Sequence, residues 1–214
     1  MSSGSVDVHV VTHPLVQSRM TLLRDEGTSN ADFRAQLTKI TAMLTYEALA
    51  AEPTTPVAVQ TPVGPAECVE LAGRPLFVPV LRAGLGMLDA ALGLVPDAQA
   101  GFVGVARDEA TAEPHEYLVS LPEDLAGRRV YVLDPMLATG GSLIHTLDVL
   151  AGRGATDVTA VCVVAAPEGV AALRTTRQRV RLVVGAIDEC LNTSSYIVPG
   201  LGDAGDRQFG PRNM

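Results

Sequence analysis

The sequence predicts an α/β fold whose mostly parallel sheet is covered by helices on both faces. Short, nearly continuous apolar runs alternate with helix-like segments, as in parallel sheets whose strands are buried on both sides. The chain has 214 residues and is 47% hydrophobic, which suits one full core. Because no Ser/Gly-rich or Pro-rich linker divides the chain, we assign residues 1–214 to a single domain.

The N-terminal third is predicted to contain a strand, two helices and a β-arm. "VDVHVV" is strand-like, and "HPLVQSRMTLLRDE" predicts a helix with Pro14 in its first turn. Apolar residues recur at helical spacing over 33–48, which predicts a longer helix with Asn30 as its N-cap. We place these helices at about residues 13–51. The alternating stretch "PVAVQTPVGPAECVEL" turns at 63–65 and predicts a hairpin or β-arm.

Strand–loop–helix units occupy the core from about residue 74 to 186. The stretches "PLFVPVLRAGLGMLDAALGL", "RRVYVLDPMLATGGSLIHTLDVLAGRGA" and "VTAVCVVAAPEGVAALRTT" each have this pattern, and "RVRLVVGAID" predicts a further strand. "AGFVGVARDEATAEPHEYLVSLP" predicts two strands joined by an acidic loop. The turn-rich segment at about 187–214 is too long for an ordinary connection. Its aromatic and aliphatic residues favour a docked, functional segment over a disordered one.

Composition narrows the functional classes. The formal net charge of −8 argues against a nucleic acid as the main partner, since phosphate backbones select basic surfaces. Three widely spaced cysteines indicate neither a disulfide framework nor a CxxC metal site, and Cys162 lies in an apolar run that predicts core. We find no signal peptide and no apolar run near the ~20 residues that span a bilayer. The expected compartment is a reducing cytoplasm, with no membrane partner.

The stretch "VYVLDPMLATGGSL" predicts a phosphate-binding loop. An apolar strand ends on Asp134, and a short loop closes with Thr139-Gly140-Gly141-Ser142 before a helix begins. Ligands of open α/β sheets bind where strands end, and glycines at a helix N-terminus let backbone N–H groups surround an anion. The loop lacks the Gly-Lys-Ser/Thr of a Walker motif and is not a GxGxxG fingerprint. A carboxylate just before a phosphate cradle suits a sugar phosphate.

The same stretch resembles the phosphoribosyl-pyrophosphate (PRPP) motif of type I phosphoribosyltransferases. Most of that superfamily has two adjacent acids, whereas Pro135 replaces the second one here, as in the uracil phosphoribosyltransferase family. "VPVLRAGLGMLDA" resembles that family's segment near the pyrophosphate, and "YIVPGLGDAGDRQFG" resembles its uracil-binding segment. "HPLV", "LTYEA" and "VAAPEG" also match, so the resemblance covers essentially the whole chain. It implies the type I phosphoribosyltransferase fold, with a β-arm, a flap and a C-terminal hood over the base.

The resemblance implies transfer of the 5-phosphoribosyl group of PRPP to uracil, giving UMP and pyrophosphate in pyrimidine salvage. It identifies Arg82 and Arg107 as PRPP contacts, with a weaker local match at Arg107, and the segment from Arg107 to about Tyr117 as the flap. Residues matched to the phosphoribose loop are Asp134, Pro135, Met136, Leu137, Ala138, Thr139, Gly140, Gly141 and Ser142. Residues matched to the uracil site are Ile197, Gly202, Asp203 and Ala204.

The family chemistry implies an oxocarbenium-like sugar, with pyrophosphate leaving as uracil N1 attacks. The implied cofactor is Mg²⁺, held mainly by PRPP, which would stabilise the leaving charge together with Arg82 and Arg107. Asp203 matches a residue that touches both substrates, so we assign it to catalysis with Arg82. It either orients metal-bound water or helps to remove the N1 proton, and the sequence does not choose between these. No histidine is an evident base, and His145 is expected to face solvent.

Two other classes compete with this interpretation. An RNA-binding regulator on the same fold would keep the PRPP loop but needs a basic face, which the −8 charge and the single lysine, Lys39, disfavour. A phosphoribosyltransferase for purines or orotate would need a different hood. The resemblance also implies a homo-oligomer and GTP as a candidate activator, but no motif decides the oligomeric state or the response to GTP.

Overall fold

The computed structural model describes residues 6–107, 114–176 and 178–211. Its helices are α1 (Pro14–Arg24), α2 (Asn30–Ala48), α3 (Leu85–Leu94), α4 (Gly141–Gly152), α5 (Pro167–Leu173) and α6 (Ala204–Phe209), with a 3₁₀ turn at Leu49–Ala51. Its strands are β1 (Val6–Val10), β2 (Thr54–Gln60), β3 (Pro65–Leu71), β4 (Leu76–Leu81), β5 (Gln99–Ala100), β6 (Phe102–Arg107), β7 (Pro114–Ser120), β8 (Arg129–Leu133), β9 (Met136–Leu137), β10 (Asp157–Ala165), β11 (Val180–Ile187), β12 (Cys190–Leu191) and β13 (Ile197–Val198).

The main sheet has the order β1-β11-β10-β8-β4-β6-β7, with β5 beside β4 and β9 beside β10. Every pairing in it is parallel except the antiparallel pair β6–β7. The prediction of a mostly parallel sheet is therefore confirmed. The central strands β4, β8 and β10 are buried almost throughout, because β-branched and aliphatic residues face a helical layer on either side.

Two hydrophobic layers sandwich the sheet, as the sequence predicted. One layer takes the buried residues of α1, α2 and α3, for example Leu23, Phe33 and Met87. The other takes those of α4 and α5, for example Leu147 and Leu173. The helix after β4 therefore lies on the opposite face from the helix after β8. These two strands are neighbours, so the strand order reverses between them and leaves a crevice at their carboxyl ends, where ligands of open α/β sheets bind.

The predicted N-cap of the long helix is wrong by one residue. Asn30 is the first residue of α2, and Ser29 is its cap. Ser29 Oγ accepts a hydrogen bond from the backbone N–H of Asp32 at 3.1 Å and donates to the Asp32 carboxylate at 2.8 Å. The serine hydroxyl satisfies an otherwise free N–H of the first turn, which is the reason for the strong N-cap preference of serine.

The predicted β-arm is present as the hairpin β2–β3, paired over seven positions from Thr54 to Leu71. Most of its residues are exposed, including Val63, which is 99% exposed at the turn, and Val69. Among the described residues, no helix has the length and apolarity needed to cross a membrane.

Candidate active site

The loop after β8 begins at the crevice and ends at α4. The backbone N–H of Asp134 donates to Val161 O at 3.2 Å, and Pro135 O accepts from the N–H groups of Val163 and Val164 at 3.0 and 3.1 Å. These bonds fix the start of the loop against β10. Gly140 then adopts φ of 86°, a left-handed conformation that favours glycine, and its carbonyl accepts the first helical bond from Ile144 at 2.8 Å. The loop therefore presents the N-terminus of a twelve-residue helix to the crevice.

The carboxyl group of Asp134 is shielded from water by the loop around it. Desolvation raises its pKa from 3.8 to about 7, and a weak hydrogen bond from the Met136 N–H, at 3.4 Å, opposes that shift. Burial raises the pKa of the Cys162 thiol on β10, and the negative charge of Asp134 raises it further. A desolvated carboxyl group that lines a cavity is typical of functional sites, and hydrogen-bond donors from a ligand would favour its ionised form.

The loop after β4 faces the loop after β8. Its Leu81–Arg82 peptide bond is cis. Arg82 Nη2 donates to Asp206 Oδ1 on α6 at 2.9 Å, and Arg82 Nε is buried without a hydrogen-bond partner among the described residues. A Cβ on Gly84 would collide with the carbonyl of Leu133 and lie 2.8 Å from that of Val80. Glycine at position 84 is what lets the two crevice loops approach each other so closely.

The C-terminal segment folds over the crevice as a hood, which we define as residues 188–209. It contains β12, β13, a turn with a cis Val198–Pro199 bond, and α6. Gly200 and Gly202 have φ of 62° and 76°, and a Cβ on Gly200 would collide with the carbonyl of Ile197. Asp203 is the N-cap of α6, since its Oδ1 accepts from the N–H of Asp206 at 2.9 Å.

Two adjoining cavities lie between these loops and the hood. The larger, of about 310 Å³, is lined by 136–143 of the loop, by Asp134, and by 194–197, Gly202 and Asp203 of the hood. The smaller, of about 140 Å³, lies at Arg82. Asp134, Met136, Ser142 and Asp203 line both cavities. A ligand with a central group at these four residues could therefore extend one arm into the hood and another to Arg82.

Most of the predicted site residues that the structure describes line these cavities, and Pro135 and Ala204 do not. The side chain of Arg107 and residues 108–113 of the predicted flap lie outside the described part of the chain. Pro135 is buried, and its carbonyl accepts the two hydrogen bonds from β10 described above. Ala204 is fully buried, and its carbonyl accepts from Gln208 Nε2 at 2.7 Å. The remaining predicted residues of the PRPP and uracil sites line one cavity or both.

His145 is half-buried and makes a side-chain contact with β7. Its Nε2 lies 2.9 Å from Glu116 Oε2 on β7, so the side chain is paired instead of simply facing solvent. The contact links α4, the helix after the 134–142 loop, to β7, whose first residues belong to the predicted flap. Sequence spacing cannot find such a pair, because 29 positions separate the two residues.

The residues that hold the hood were missed by the sequence analysis. Arg24 of α1 forms a two-pronged ion pair with Asp188 at 2.6 and 2.7 Å and donates to Gly200 O at 2.7 Å, while Asp188 also accepts from the Gly200 N–H at 2.8 Å. Arg207 donates to the carbonyls of Leu23 and Asp25 near the end of α1 and to that of Leu201 in the hood. Its guanidinium carbon also lies 4.7 Å from the centroid of the Phe33 ring. Asp188 follows β11 as Asp134 follows β8, so the same strand-end signal could have identified it.

The acidic side chains at the crevice suit a metal ion that is held mainly by a substrate. Among residues 6–107, 114–176 and 178–211, no three His, Cys, Asp or Glu side chains cluster as a metal cage. Asp134 and Asp203 both line the smaller cavity, and Asp203 is exposed. Mg²⁺ is commonly bound by one or two carboxylates together with substrate phosphates, and this arrangement fits that donor set.

Comparison with known proteins gives consistent matches. The family model described as uracil phosphoribosyltransferase matches residues 10–211. Proteins named uracil phosphoribosyltransferase from Corynebacterium efficiens and Corynebacterium diphtheriae are 56% and 54% identical over 209 residues, covering 98% of this chain and 99% of each relative. The solved structure of the AQ2163 protein from Aquifex aeolicus superposes with a TM-score of 0.90 at 40% identity, covering 95% of this chain and 98% of that one.

Proposed function

Because this chain belongs to the uracil phosphoribosyltransferase family, it transfers the 5-phosphoribosyl group of PRPP to uracil, and we propose that the two adjoining cavities bind these substrates. The products are UMP and pyrophosphate, so the enzyme is a pentosyltransferase of pyrimidine salvage. The observation that carries the proposed placement is the set of four residues shared by both cavities. The sugar of PRPP would lie there, with the base in the hood and pyrophosphate at Arg82.

The loop from Asp134 to Ser142 would hold the phosphoribosyl group. Backbone N–H groups at the start of α4 would donate to the 5′-phosphate, and the helix dipole would favour its charge. Asp134 would accept hydrogen bonds from ribose hydroxyls. Those donors favour the ionised carboxylate, so the bound sugar would lower the pKa of Asp134 from its value of about 7.

The leaving group would lie at Arg82. Arg82 lines the smaller cavity, and its Nε–H has no acceptor among the described residues. Such a buried donor costs free energy until an acceptor satisfies it. Mg²⁺, bound mainly by PRPP and through Asp203, would neutralise charge on the departing pyrophosphate. Arg82 would add a fixed positive charge where negative charge develops.

Uracil would lie under the hood, against Ile197, Gly202 and Asp203. Glycine at 202 brings backbone N–H and C=O groups to the cavity wall, and such groups pair with the amide-like edges of uracil. Cytosine presents a reversed donor pattern and would leave buried groups unpaired, which disfavours it strongly. The carbonyl of Ala204 already accepts a hydrogen bond from Gln208, so we assign the contribution of Ala204 to uracil binding to its backbone N–H. Asp203 stands between base and sugar, where its charge can act on the N1 proton or on metal-bound water.

A panel of free bases tests the proposal. Purified protein with Mg²⁺ and PRPP is incubated with uracil, cytosine, orotate, hypoxanthine or adenine, and the nucleotide formed is identified. UMP should form from uracil alone. Arg82→Ala should weaken PRPP binding by about 10- to 100-fold, from the loss of a charge-assisted contact to a phosphate, while uracil binding changes little. Unchanged PRPP binding would remove Arg82 from the site.

Three further assignments belong with this proposal. A homo-oligomer is supported by the β-arm, whose exposed Val63 and Val69 stand on a two-stranded hairpin, a structure that is marginal alone. Light scattering of a Val69→Asp variant tests whether the arm carries that contact. Activation by GTP rests on the family resemblance, and adding GTP to the base assay tests it. A reducing cytoplasm is proposed from the cysteine pattern, with three free thiols in the structure.

A further inference from the structure

We propose that Asp206 is a positioning residue that orients Arg82 for the pyrophosphate of PRPP. The inference rests on the proposed PRPP site and adds a residue from the hood to it. Asp206 belongs to α6, which also carries Asp203 at its N-cap, so a single short helix contacts both proposed substrate positions. The consequence is that the hood shapes the pyrophosphate site as well as the base site.

The ion pair engages only one nitrogen of the guanidinium. Arg82 Nη2 donates to Asp206 Oδ1 at 2.9 Å, whereas Nε has no partner in the part of the chain that the structure describes. Arg82 lines the 140 Å³ cavity with Asp134 and Ser142. A guanidinium has five N–H donors in a rigid plane, so fixing one nitrogen fixes the direction of the others. Asp206 thus holds the plane of Arg82 while leaving donors for an anion.

The loop and the helix are joined at a second point. Gln208 is fully buried, and its Nε2 donates to Ala83 O at 3.0 Å and to Ala204 O at 2.7 Å. Gly205 lies against Arg82, since a Cβ there would be in van der Waals contact with Nη2 at 3.4 Å. The backbone of the Arg82 loop is therefore attached to α6 by Gln208, and the Arg82 side chain is attached to it by Asp206.

A competing role for Asp206, in which its carboxylate occupies Arg82 in place of pyrophosphate, predicts the opposite change in PRPP binding. If the carboxylate only competed with pyrophosphate for Arg82, its removal would strengthen PRPP binding. An ion pair with side chains 33% and 40% exposed is weak by itself, so competition of this kind is also weak. The unpartnered Nε favours orientation, since a competing carboxylate would be expected to take the free donor as well.

A double-mutant cycle on PRPP binding tests the inference. PRPP dissociation constants with Mg²⁺ are measured by calorimetry for the wild type, Asp206→Ala, Arg82→Ala and the double variant. Asp206→Ala should weaken PRPP binding about tenfold, equivalent to about 1.4 kcal/mol, while the dissociation constant for uracil changes less than about threefold. In the Arg82→Ala background, the same substitution should change PRPP binding less than about twofold, because Asp206 acts through Arg82.

Two controls separate orientation from charge and from folding. Asp89→Ala removes an exposed carboxylate from α3, the helix after the same loop, and should leave PRPP binding unchanged. Asp206→Asn keeps the acceptor oxygen and should weaken PRPP binding by less than the alanine variant does. If Asp206→Ala does not fold, Asp206→Asn replaces it in the cycle, with an expected loss of about threefold that vanishes without Arg82.

Several outcomes would overturn the inference. Unchanged or tighter PRPP binding in the Asp206 variant with Arg82 present would show that Asp206 does not position the guanidinium. An equal loss in the Arg82→Ala background would indicate a general effect on the hood. If Arg82→Ala itself leaves PRPP binding intact, then the proposed site fails and this inference fails with it. A normal Arg82 effect without coupling to Asp206 refutes the inference alone.

Discussion

The sharpest test of the proposed mechanism is Asp203→Asn compared with Asp203→Ala. The structure gives Asp203 a role that needs no catalysis, because its Oδ1 caps α6 through the N–H of Asp206 at 2.9 Å. Asparagine caps helices about as well as aspartate, so the Asn variant should keep its stability within about 0.5 kcal/mol. Alanine removes the cap and should cost about 1 kcal/mol. For a chain of this size that lowers the melting temperature by about 2–4 °C.

Turnover should depend on the negative charge of Asp203 and not on its ability to cap α6. Both substitutions remove the carboxylate that faces the shared region of the two cavities, so both should lower turnover by about 10²-fold or more. The Michaelis constant for uracil should change less in the Asn variant, because Gly202 and Ile197 still form the base pocket. The assay is steady-state UMP formation at saturating PRPP and Mg²⁺, with a thermal melt of each variant.

The two roles give different patterns across the pair of variants. A catalytic Asp203 makes both variants slow and leaves only the alanine variant less stable. A capping Asp203 leaves the Asn variant with near-normal turnover. That result, in a variant that melts like the wild type, would refute the catalytic assignment.

Three other predictions follow from particular contacts. Arg24→Ala leaves the Asp188 carboxylate, only 5% exposed, without its guanidinium partner, so a thermal melt should show the fold destabilised by about 3 kcal/mol. The Michaelis constant for uracil should rise more than that for PRPP, and an unchanged melt would contradict the prediction. Gly84→Ala should lower the free energy of unfolding by about 1–3 kcal/mol, because the added Cβ meets two strand carbonyls. Gly93→Ala in α3 has open space around the added Cβ and should raise the free energy of unfolding by about 0.5–1 kcal/mol, and equal effects of the two substitutions would refute the packing argument. The pKa of Asp134 is about 7 in the fold against 3.8 normally, so between these pH values the folded state binds more protons than the unfolded state does. The stability of the wild type should therefore fall relative to that of Asp134→Asn as pH rises from about 4 to 7, and a pH-independent difference would contradict the raised pKa.

The strand–loop–helix conformation around residues 134–142 was predictable because its signal is local. A strand must end before its chain can turn, and a carboxylate at that end, followed by Gly140 and Gly141, has few structural uses other than a ligand. The alternation of apolar strands and helices likewise defined the parallel sheet. The local sequence did not fix every boundary, and Ser29 instead of Asn30 caps α2, since both residues are good caps and only the path of the chain selects one.

The arrangement of the site depended on contacts that are distant in the sequence. Arg24 and Asp188 are 164 positions apart, and Arg82 and Asp206 are 124 positions apart. Arg24 meets Asp188 because α1 follows β1, which pairs with β11, the strand that ends just before Asp188. Arg82 meets Asp206 because the hood returns over the crevice between β4 and β8. The sequence alone determined the strand–loop–helix order and the side chains that the loop offers to a ligand, because residue type and local spacing govern both. Only the tertiary structure decided which charges meet and how the hood is held, because ion pairs and desolvation depend on distances between segments that sequence spacing does not encode.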